Sequence, residues 1–448
     1  MALAIFIVMF VLIVTEVVER HQASLLAALA MILVVFMMCM KSTADVWEIL
    51  SVRDLFSGRF WYTAKESAEN NSGINWATII FLGGMMIMVE SMGRSGIFRY
   101  ICLALARLVK YKPVRLFIMF MVISAVLSMF IGSMTVILFM ASVTVELADL
   151  MGLDPIPMII SQVFTANLGG AATMCGDPPN LIIGTELGYS FFDFLFNAGA
   201  IAFAALVITI LYFYFTLRKK LVKDPEKFAA INPADFPEPS SAIKDKKAFA
   251  RSWMIFILAV VMLITHAQTG LTVATIGVAI VAMTLIFAGS ESRSILRSID
   301  YNTLLFFVGL FVVIGGLEKT GILKVIAKVI AGVAGGNIYA TCGIILWVSI
   351  ICSAFIDNIP FAATMVPVIE TLSTSLGIPI DTLAWTLSIG TDFGGNATPI
   401  GASANVIGIS IASKSGHLIT WPKFCRYAVP ATIISGITAM AMIFVIHC

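Results

Sequence analysis

Apolar runs of roughly membrane length alternate with short polar joints along the whole chain. They fall near residues 3–19, 23–40, 76–92, 114–150, 156–187 and 195–217, and again near 253–268, 272–288, 302–317, 338–374, 382–412 and 424–446. A hydrocarbon core roughly 30 Å thick asks for about 20 apolar residues per helix, so the pattern predicts an all-α polytopic membrane protein. The opening stretch, Met1 to Val14, has neither a basic flank nor a small-residue cleavage site and reads as the first membrane helix rather than a removed signal. Between the two sets of runs, residues 218–251 are polar, carry Pro225, Pro233, Pro237 and Pro239 and many lysines, and read as a linker. The expected organisation is a membrane unit at 1–217, a basic linker at 218–251 and a second membrane unit at 252–448.

The two units are copies. A single shift of 225 positions lays the second on the first without a gap from about residue 74 to 182. Gly84 then meets Gly309, Gly96 meets Gly321, Ser128 meets Ser353 and Gly152 meets Gly377, while Gly169, Gly170, Ala172, Thr173, Gly176 and Asn180 meet Gly394, Gly395, Ala397, Thr398, Gly401 and Asn405. Chance likeness between apolar helices aligns Leu, Ile and Val, whereas these pairs are rich in Gly, Ser, Thr and Asn, which marks an internal repeat.

Charge placement then suggests how the repeats lie. Arg94, Arg99, Arg107, Lys110, Lys112 and Arg115 form one basic cluster, and the linker, from Arg218 to Arg251, forms the other. The positive-inside rule puts both in the cytoplasm. For the chain to return to the same side between them, the run at 114–150 must enter and leave as a re-entrant hairpin. Each repeat then has five transmembrane crossings plus one hairpin, and the odd number turns the second copy upside down. Arg20 also falls inside under this scheme, whereas Lys41, Arg53, Arg59, Lys65, Lys319, Lys324 and Lys328 remain outside.

Two apolar segments are interrupted at corresponding places. The first reads Ala166-Asn-Leu-Gly-Gly-Ala-Ala-Thr-Met-Cys-Gly-Asp-Pro-Pro-Asn180 and the second Thr391-Asp-Phe-Gly-Gly-Asn-Ala-Thr-Pro-Ile-Gly-Ala-Ser-Ala-Asn405. Pro lacks the helical donor and Gly favours non-helical backbone, so both are expected to break near the bilayer midplane. Broken helices offer free N–H groups and positive dipole ends to anions, while freed carbonyls and Asn, Ser and Thr oxygens can replace the water around a cation. The hairpin tips supply a second matched pair, Gly132-Ser133-Met134-Thr135 and Asp357-Asn358-Ile359-Pro360. Tips and breaks together give the expected substrate and ion contacts: Ser133 and Thr135; Asn167, Gly170, Thr173, Asp177 and Asn180; Asp357 and Asn358; and Asp392, Asn396, Thr398, Ser403 and Asn405. Sodium is expected at Asn167, Asp357, Asn358 and Asp392. A carboxylate held out of water is costly, and Asp177, Asp357 and Asp392 are suited to trading a proton for a metal ion. The structural alternative for Asp177, just before Pro178, is a helix cap.

Composition adds little against this picture. The chain has 448 residues, 60% hydrophobic and 12% charged, with a net charge of +2, which suggests no nucleic-acid partner. Its seven cysteines sit mostly in or beside apolar segments with no CxxC, as small core residues rather than metal ligands. Glu16, Glu90 and Glu318 fall at or near helix ends, where solvation explains them, and His266 near an external end. No Lys or Arg falls within the expected core, which counts against a strongly held dianion.

The run from Asn167 to Asn180, with its GGAAT and GDPPN core, and the run SAFIDNIP from Ser353 resemble the ion transporter superfamily, in the branch of arsenite permeases, NhaD-type sodium/proton antiporters and P-protein relatives. The resemblance covers nearly the whole chain and extends to the divalent-anion/sodium symporters. It implies a scaffold, a mobile transport domain moving as an elevator, and a homodimer. It carries ion or substrate contact to Ser133, Thr135, Asn167, Thr173, Asp177, Asn180, Asp357, Asn358, Thr398 and Asn405. The antiporter pattern has Asp-Asn at both hairpin tips, whereas the first tip here is Gly132-Ser133, which leaves the cargo open. No catalytic constellation and no Walker-type loop is found. The expected function is secondary transport of a small anion or arsenite in the cell membrane, coupled to Na⁺ or H⁺ and without further cofactors. Na⁺/H⁺ exchange is the alternative within transport, and a passive channel or the membrane subunit of an ATPase-driven pump the alternatives outside it.

Overall fold

The computed structural model describes residues 1–15, 17–62, 73–229 and 236–448, so Glu16, Lys65 and Pro233 lie outside the described residues. Before the first long matched helix come α1 (Ala2–Thr15), α2 (Arg20–Ala30, continued by wider π-helical turns over Met31–Met40), α3 (Thr43–Leu50) and α4 (Gly58–Trp61). The first repeat proper holds α5 (Trp76–Ser95), α6 (Ile97–Leu108), α7 (Pro113–Ser128), α8 (Ser133–Met151), α9 (Pro155–Gly170), α10 (Pro178–Leu187), α11 (Phe191–Phe196) and α12 (Ala198–Leu217). After α13 (Pro225–Ala229) come α14 (Lys246–Thr269), α15 (Val273–Ala288) and α16 (Ser292–Arg297). The second repeat holds α17 (Tyr301–Lys319), α18 (Ile322–Ala334), α19 (Ile338–Ser353), α20 (Asn358–Leu376), α21 (Ile380–Gly394), α22 (Ser403–Lys414) and α23 (Trp421–Ile446). Among the described residues, nine helices are long and apolar enough to cross a membrane, and there is no strand beyond the isolated bridges Tyr62–Leu271 and Leu153–Val222.

Several positions 225 residues apart are bonded alike. The Asn75 side chain accepts from the Thr78 backbone N–H at the start of α5, and Asp300, 225 positions on, accepts from that of Thr303 at the start of α17. Gly96 and Gly321 both close the next turn in the left-handed region, at φ 85° and 74°, as do Gly152 and Gly377 at 66° and 68°. Glycine suits these positions because a Cβ there is strained. Pro113, Pro155 and Pro178 each open a helix, where a missing N–H costs nothing.

Helix crossings are matched too, but across the repeats. α15 packs along α5, and α2 packs along α17. A Cβ on Gly84 would lie 2.6 Å from the carbonyl oxygen of Gly277, and one on Gly309 would lie 2.5 Å from the carbonyl carbon of Ser24. Both crossings therefore bring backbones together over a residue with no side chain, as helix pairs in lipid commonly do. α1, α2, α5, α14, α15 and α17 form one packed group; α7 to α10, α12 and α19 to α23 form another, with α6 and α18 leading from the first to the second.

Two features differ from the sequence reading. The basic segment at 93–115 is not a simple joint: α6 buries Ile97, Phe98, Cys102, Leu103 and Ala106, and turns Arg99 outward to reach Glu146 at 2.6 Å. The spacing of its apolar residues suits a helix, but its charges dominate a reading by composition. The linker is shorter and more attached than expected. α14 already begins at Lys246, and the turn Pro239–Ala242 lies on α6 with Phe236 stacked on Tyr111 at 4.0 Å between ring centroids.

Candidate functional site

The apolar run at 114–150 folds as two helices, α7 and α8, parted by a turn at Met129–Gly132, and the run at 338–374 divides in the same way into α19 and α20. Helices α9 and α21 stop at their Gly-Gly pairs, and α10 and α22 start anew after the breaks. Each break is tied back to the neighbouring hairpin by equivalent hydrogen bonds. The Thr173 hydroxyl donates to the Met129 carbonyl and the Thr398 hydroxyl to the Ala354 carbonyl. The Asn180 amide donates to the carbonyls of Gly170 and Thr173 at 3.1 and 3.2 Å, and Asn405 donates to those of Gly395 and Thr398 at 2.8 and 2.7 Å. These asparagines satisfy carbonyls left open by helix rupture, the condition for irregular backbone at membrane depth.

The halves also lock to each other. The Asn167 amide donates to Asn396 Oδ1 at 2.9 Å and Asn405 Oδ1 at 3.1 Å, and the Ser388 hydroxyl donates to Asn180 Oδ1 at 2.6 Å. α10 packs on α20 and α21 of the other repeat, while α22 packs on α8 and α9.

A cavity of about 550 Å³ lies where the hairpin tips and the restarted helices meet α2, α5 and α17. Six helix N-termini border it: those of α8 at Gly132–Thr135, α10 at Asp177–Pro178, α20 at Asp357–Ile359 and α22 at Ala402–Ala404 from the tips and breaks, and those of α2 at Glu19–His21 and α17 at Asp300–Thr303. Of the residues expected from sequence, Ser133, Thr135, Asp177, Asp357, Asn358 and Ser403 line this space. Asn167, Gly170, Thr173, Asn180, Asp392, Asn396, Thr398 and Asn405 do not; they are buried in the breaks behind the lining, where they hold the backbone or each other.

Asp177 stands at the N-cap position of α10 without capping it. Its Oδ1 instead accepts from the Ser133 hydroxyl at 2.7 Å and the Ser133 backbone N–H at 3.2 Å, joining the break to the first hairpin tip. Gly170 leaves room beside it, because a Cβ at that position would press on the Asp177 carboxylate and displace it. Ser133→Ala removes a hydrogen bond to a buried carboxylate and is expected to cost about 1.5–3 kcal/mol. Thermal melting in detergent checks this, with Ser142→Ala as control; that hydroxyl donates only to the Leu138 carbonyl on an exposed helix face and its loss is expected to be nearly silent.

The second tip carries a different arrangement. Asp357 caps α20 by accepting from the Ile359 N–H at 3.1 Å, and its other oxygen receives Arg20 Nη1 at 2.6 Å. The Asn358 amide donates to Asp392 Oδ1 at 3.3 Å. The expectation that no Lys or Arg reaches the core is therefore corrected: Arg20 heads α2 and enters the cavity from the other packed group. Sequence reasoning missed it because its partner lies 337 positions away and because it sits at a helix end, where basic residues are ordinarily solvated. Asp300, Asn302, Phe306 and Phe307 of α17 and its cap line the same wall, again without a motif to announce them.

Among the sodium ligands expected, Asn167 Oδ1 and Asp392 Oδ2 are buried oxygens without a hydrogen-bond partner among the described residues. Asp357 stands apart from them in its pairing with Arg20.

A family model described as citrate transporter matches residues 10–390. An uncharacterized transporter of Mycobacterium tuberculosis is 31% identical over 445 residues, spanning 99% of this chain and 97% of that protein. The human P protein is 28% identical over 450 residues, 84% of this chain and 54% of its own length. Among solved structures, the YdaH transporter of Alcanivorax borkumensis superposes with a TM-score of 0.56 over 90% of this chain and 97% of that one at 15% identity. MtrF of Neisseria gonorrhoeae, from a class of antimetabolite efflux pumps, gives 0.53 over 91% and 86% at 14% identity. At such identities the two structures speak for the fold alone.

Proposed function

The chain belongs to the citrate transporter family, and from that premise we propose that it is a secondary active transporter of a small anion, a carboxylate such as citrate, driven by Na⁺ or H⁺. The observation that carries this reading is the cavity at which the four helix N-termini of the tips and breaks converge. Free N–H groups and aligned peptide dipoles make each such end a site for negative charge. The buried oxygens of Asn167 and Asp392, which lack a hydrogen-bond partner among the described residues, support a role for them as cation ligands.

Alternating access follows as an elevator. The group built on α7 to α10 and α19 to α22 carries the tips and breaks, and slides against the group built on α2, α5, α15 and α17, with α6 and α18 as the connecting arms. The inverted-repeat topology, with five crossings and a hairpin in each half, is supported by which helix ends meet. Arg94 at the end of α5 reaches Ser294 at 2.7 Å, and His417 after α22 reaches Asp149 on α8 at 3.0 Å. Lys319 at the end of α17 reaches Glu48 at 2.7 Å, and Asn75 reaches Glu186 at 2.6 Å. The first set gathers with the linker on one face, which we assign to the cytoplasm of a cell membrane from its basic residues.

The test is uptake of labelled citrate into proteoliposomes under an imposed sodium or proton gradient. Gradient-driven accumulation above the equilibrium level is the expected result. Failure of accumulation together with a sodium-dependent pH change inside the vesicles would overturn it in favour of Na⁺/H⁺ exchange, a second reading favoured by the acidic side chains Asp177, Asp300 and Asp357 around the cavity.

A further inference from the structure

Asn75 and Asp300, 225 positions apart, cap α5 and α17 alike, yet the contacts around the first are closed and those around the second open. The Asn75 amide donates to the Thr185 hydroxyl of α10 at 2.9 Å and to Glu186 Oε1 at 2.6 Å, and the Thr78 and Thr185 hydroxyls lie 3.1 Å apart. Asn75, Thr78 and Thr185 are all buried, the most accessible of them 7% exposed. These bonds join the two packed groups, because α5 belongs to one and α10 to the other. The counterparts of Asn75, Thr78, Thr185 and Glu186 are Asp300, Thr303, Ser410 and Ile411. Asp300 and Thr303 line the cavity at the start of α17, and Thr303 gives its hydroxyl to Asp300 Oδ2 at 2.5 Å. Ser410 lies on α22, which packs on α8 and α9, and no hydrogen bond joins it to Asp300 or Thr303 among the described residues. Asp300 is exposed, and Thr303 and Ser410 are partly so.

We propose that Asp300, Thr303 and Ser410 are the second of two alternating latches between the packed groups, and that Asp300 makes it the weaker of the two. As the moving group slides, Thr185 leaves Asn75 and Thr78 while Ser410 comes up to Asp300 and Thr303, closing the cavity at the start of α17. The two closures differ chemically. Asn75 donates to a hydroxyl whose own proton goes to the Leu181 carbonyl at 2.8 Å. An ionised Asp300 has no proton to give, so the Ser410 hydroxyl must be the donor. Closure there also takes a carboxylate out of water where the first latch takes an amide, and the charge is the costlier group to desolvate. Ile411, standing where the first repeat has Glu186, offers no further acceptor. The state with the first latch shut and the cavity open at α17 is therefore the favoured one, and the difference between Asn75 and Asp300 sets that preference. This inference rests on the sliding motion proposed above and adds to it the residues that hold either end.

Two cysteine pairs at equivalent positions report the latches: Thr78→Cys with Thr185→Cys, and Thr303→Cys with Ser410→Cys. The full chain is oxidatively cross-linked in proteoliposomes, and linked peptides are identified by mass spectrometry so that the seven native cysteines are told apart. The first pair is expected to link readily and the second slowly. Asp300→Asn, which keeps the cap on residue 303 as Asn75 keeps it on Thr78, is expected to speed the second link about tenfold and to slow the first. Thr185→Val, which loosens the first latch, is expected to speed the second link as well. A second link that never forms, or one whose rate Asp300→Asn leaves unchanged or lowers, overturns the proposal. If the buried Thr78 and Thr185 pair does not fold as cysteines, the partly exposed Thr303 and Ser410 pair decides alone by the same criterion. Gradient-driven citrate uptake without any second link discards the latch and leaves the transport reading standing. Links that answer to Asp300→Asn in a protein that takes up no citrate under either gradient keep the latch and discard citrate as cargo.

Discussion

Asp357→Asn is expected to abolish ion-driven uptake, lowering it by up to roughly 100-fold, while the protein still assembles in the membrane. The side chain is nearly isosteric and its oxygen can keep the cap on the Ile359 N–H, so α20 retains its start. What disappears is the negative charge. Arg20 Nη1 then faces a neutral amide, and loss of a charge-assisted hydrogen bond costs about 1.5–3 kcal/mol, up to roughly 100-fold at a working site. A cation also loses its reason to visit the second tip. Uptake measured under a sodium or proton gradient, set against binding of citrate at high concentration, separates loss of drive from loss of the site. Full uptake by Asp357→Asn would remove this acid from the coupling scheme.

Gly169→Val is expected to prevent stable folding rather than to impair transport selectively. A Cβ on Gly169 would overlap the backbone carbonyl of Ala125 on α7; the equivalent position, Gly394, would put one 2.5 Å from the Ile350 carbonyl oxygen on α19. Both obstacles are backbone inside tightly packed helices, so neither can swing aside as a flexible side chain would. Forcing extra methyls into such a contact costs about 3 kcal/mol or more, and the break behind it is tied by Thr173 to the same hairpin. Fluorescence-detected size exclusion after heating checks the outcome. A Gly169→Val protein that runs and melts like wild type would show that the α7–α9 crossing is looser than its geometry implies. Gly343→Val, at a position with open space around it, is the control.

Much of this is legible in the sequence, for reasons that differ from residue to residue. The offset of 225 positions was visible because Gly, Asn and Thr are expensive in apolar helices, so their recurrence stands out against a background of Leu, Ile and Val. Asn180 and Asn405 illustrate the gain: their equivalence in the sequence is matched by equivalent bonds to the carbonyls of their own breaks. The division of labour among the candidates was not readable. Thr173 and Ser403 look alike as polar residues in a break, yet one is turned back to a carbonyl and the other lines the cavity. Side-chain direction at a rupture depends on where the neighbouring hairpin passes, and no periodicity encodes that. Arg20 was hidden for a related reason, since a pairing across 337 positions leaves no local signal.

The exchange of partners between the repeats has a consequence for how the chain is made. α10 packs on α20 and α21, while α22 packs on α8 and α9, so each restarted helix rests on the other repeat. During synthesis the first half leaves the ribosome well before its counterpart exists. Its Asn167 amide then has neither Asn396 nor Asn405 to meet, and Asn180 lacks Ser388. Insertion of the early helices can proceed one by one, but the first break must wait, unfinished and reliant on water or lipid-exposed neighbours, until residues beyond 405 arrive. Maturation of this protein is therefore a closing step late in biogenesis, in which two incomplete halves complete each other at once.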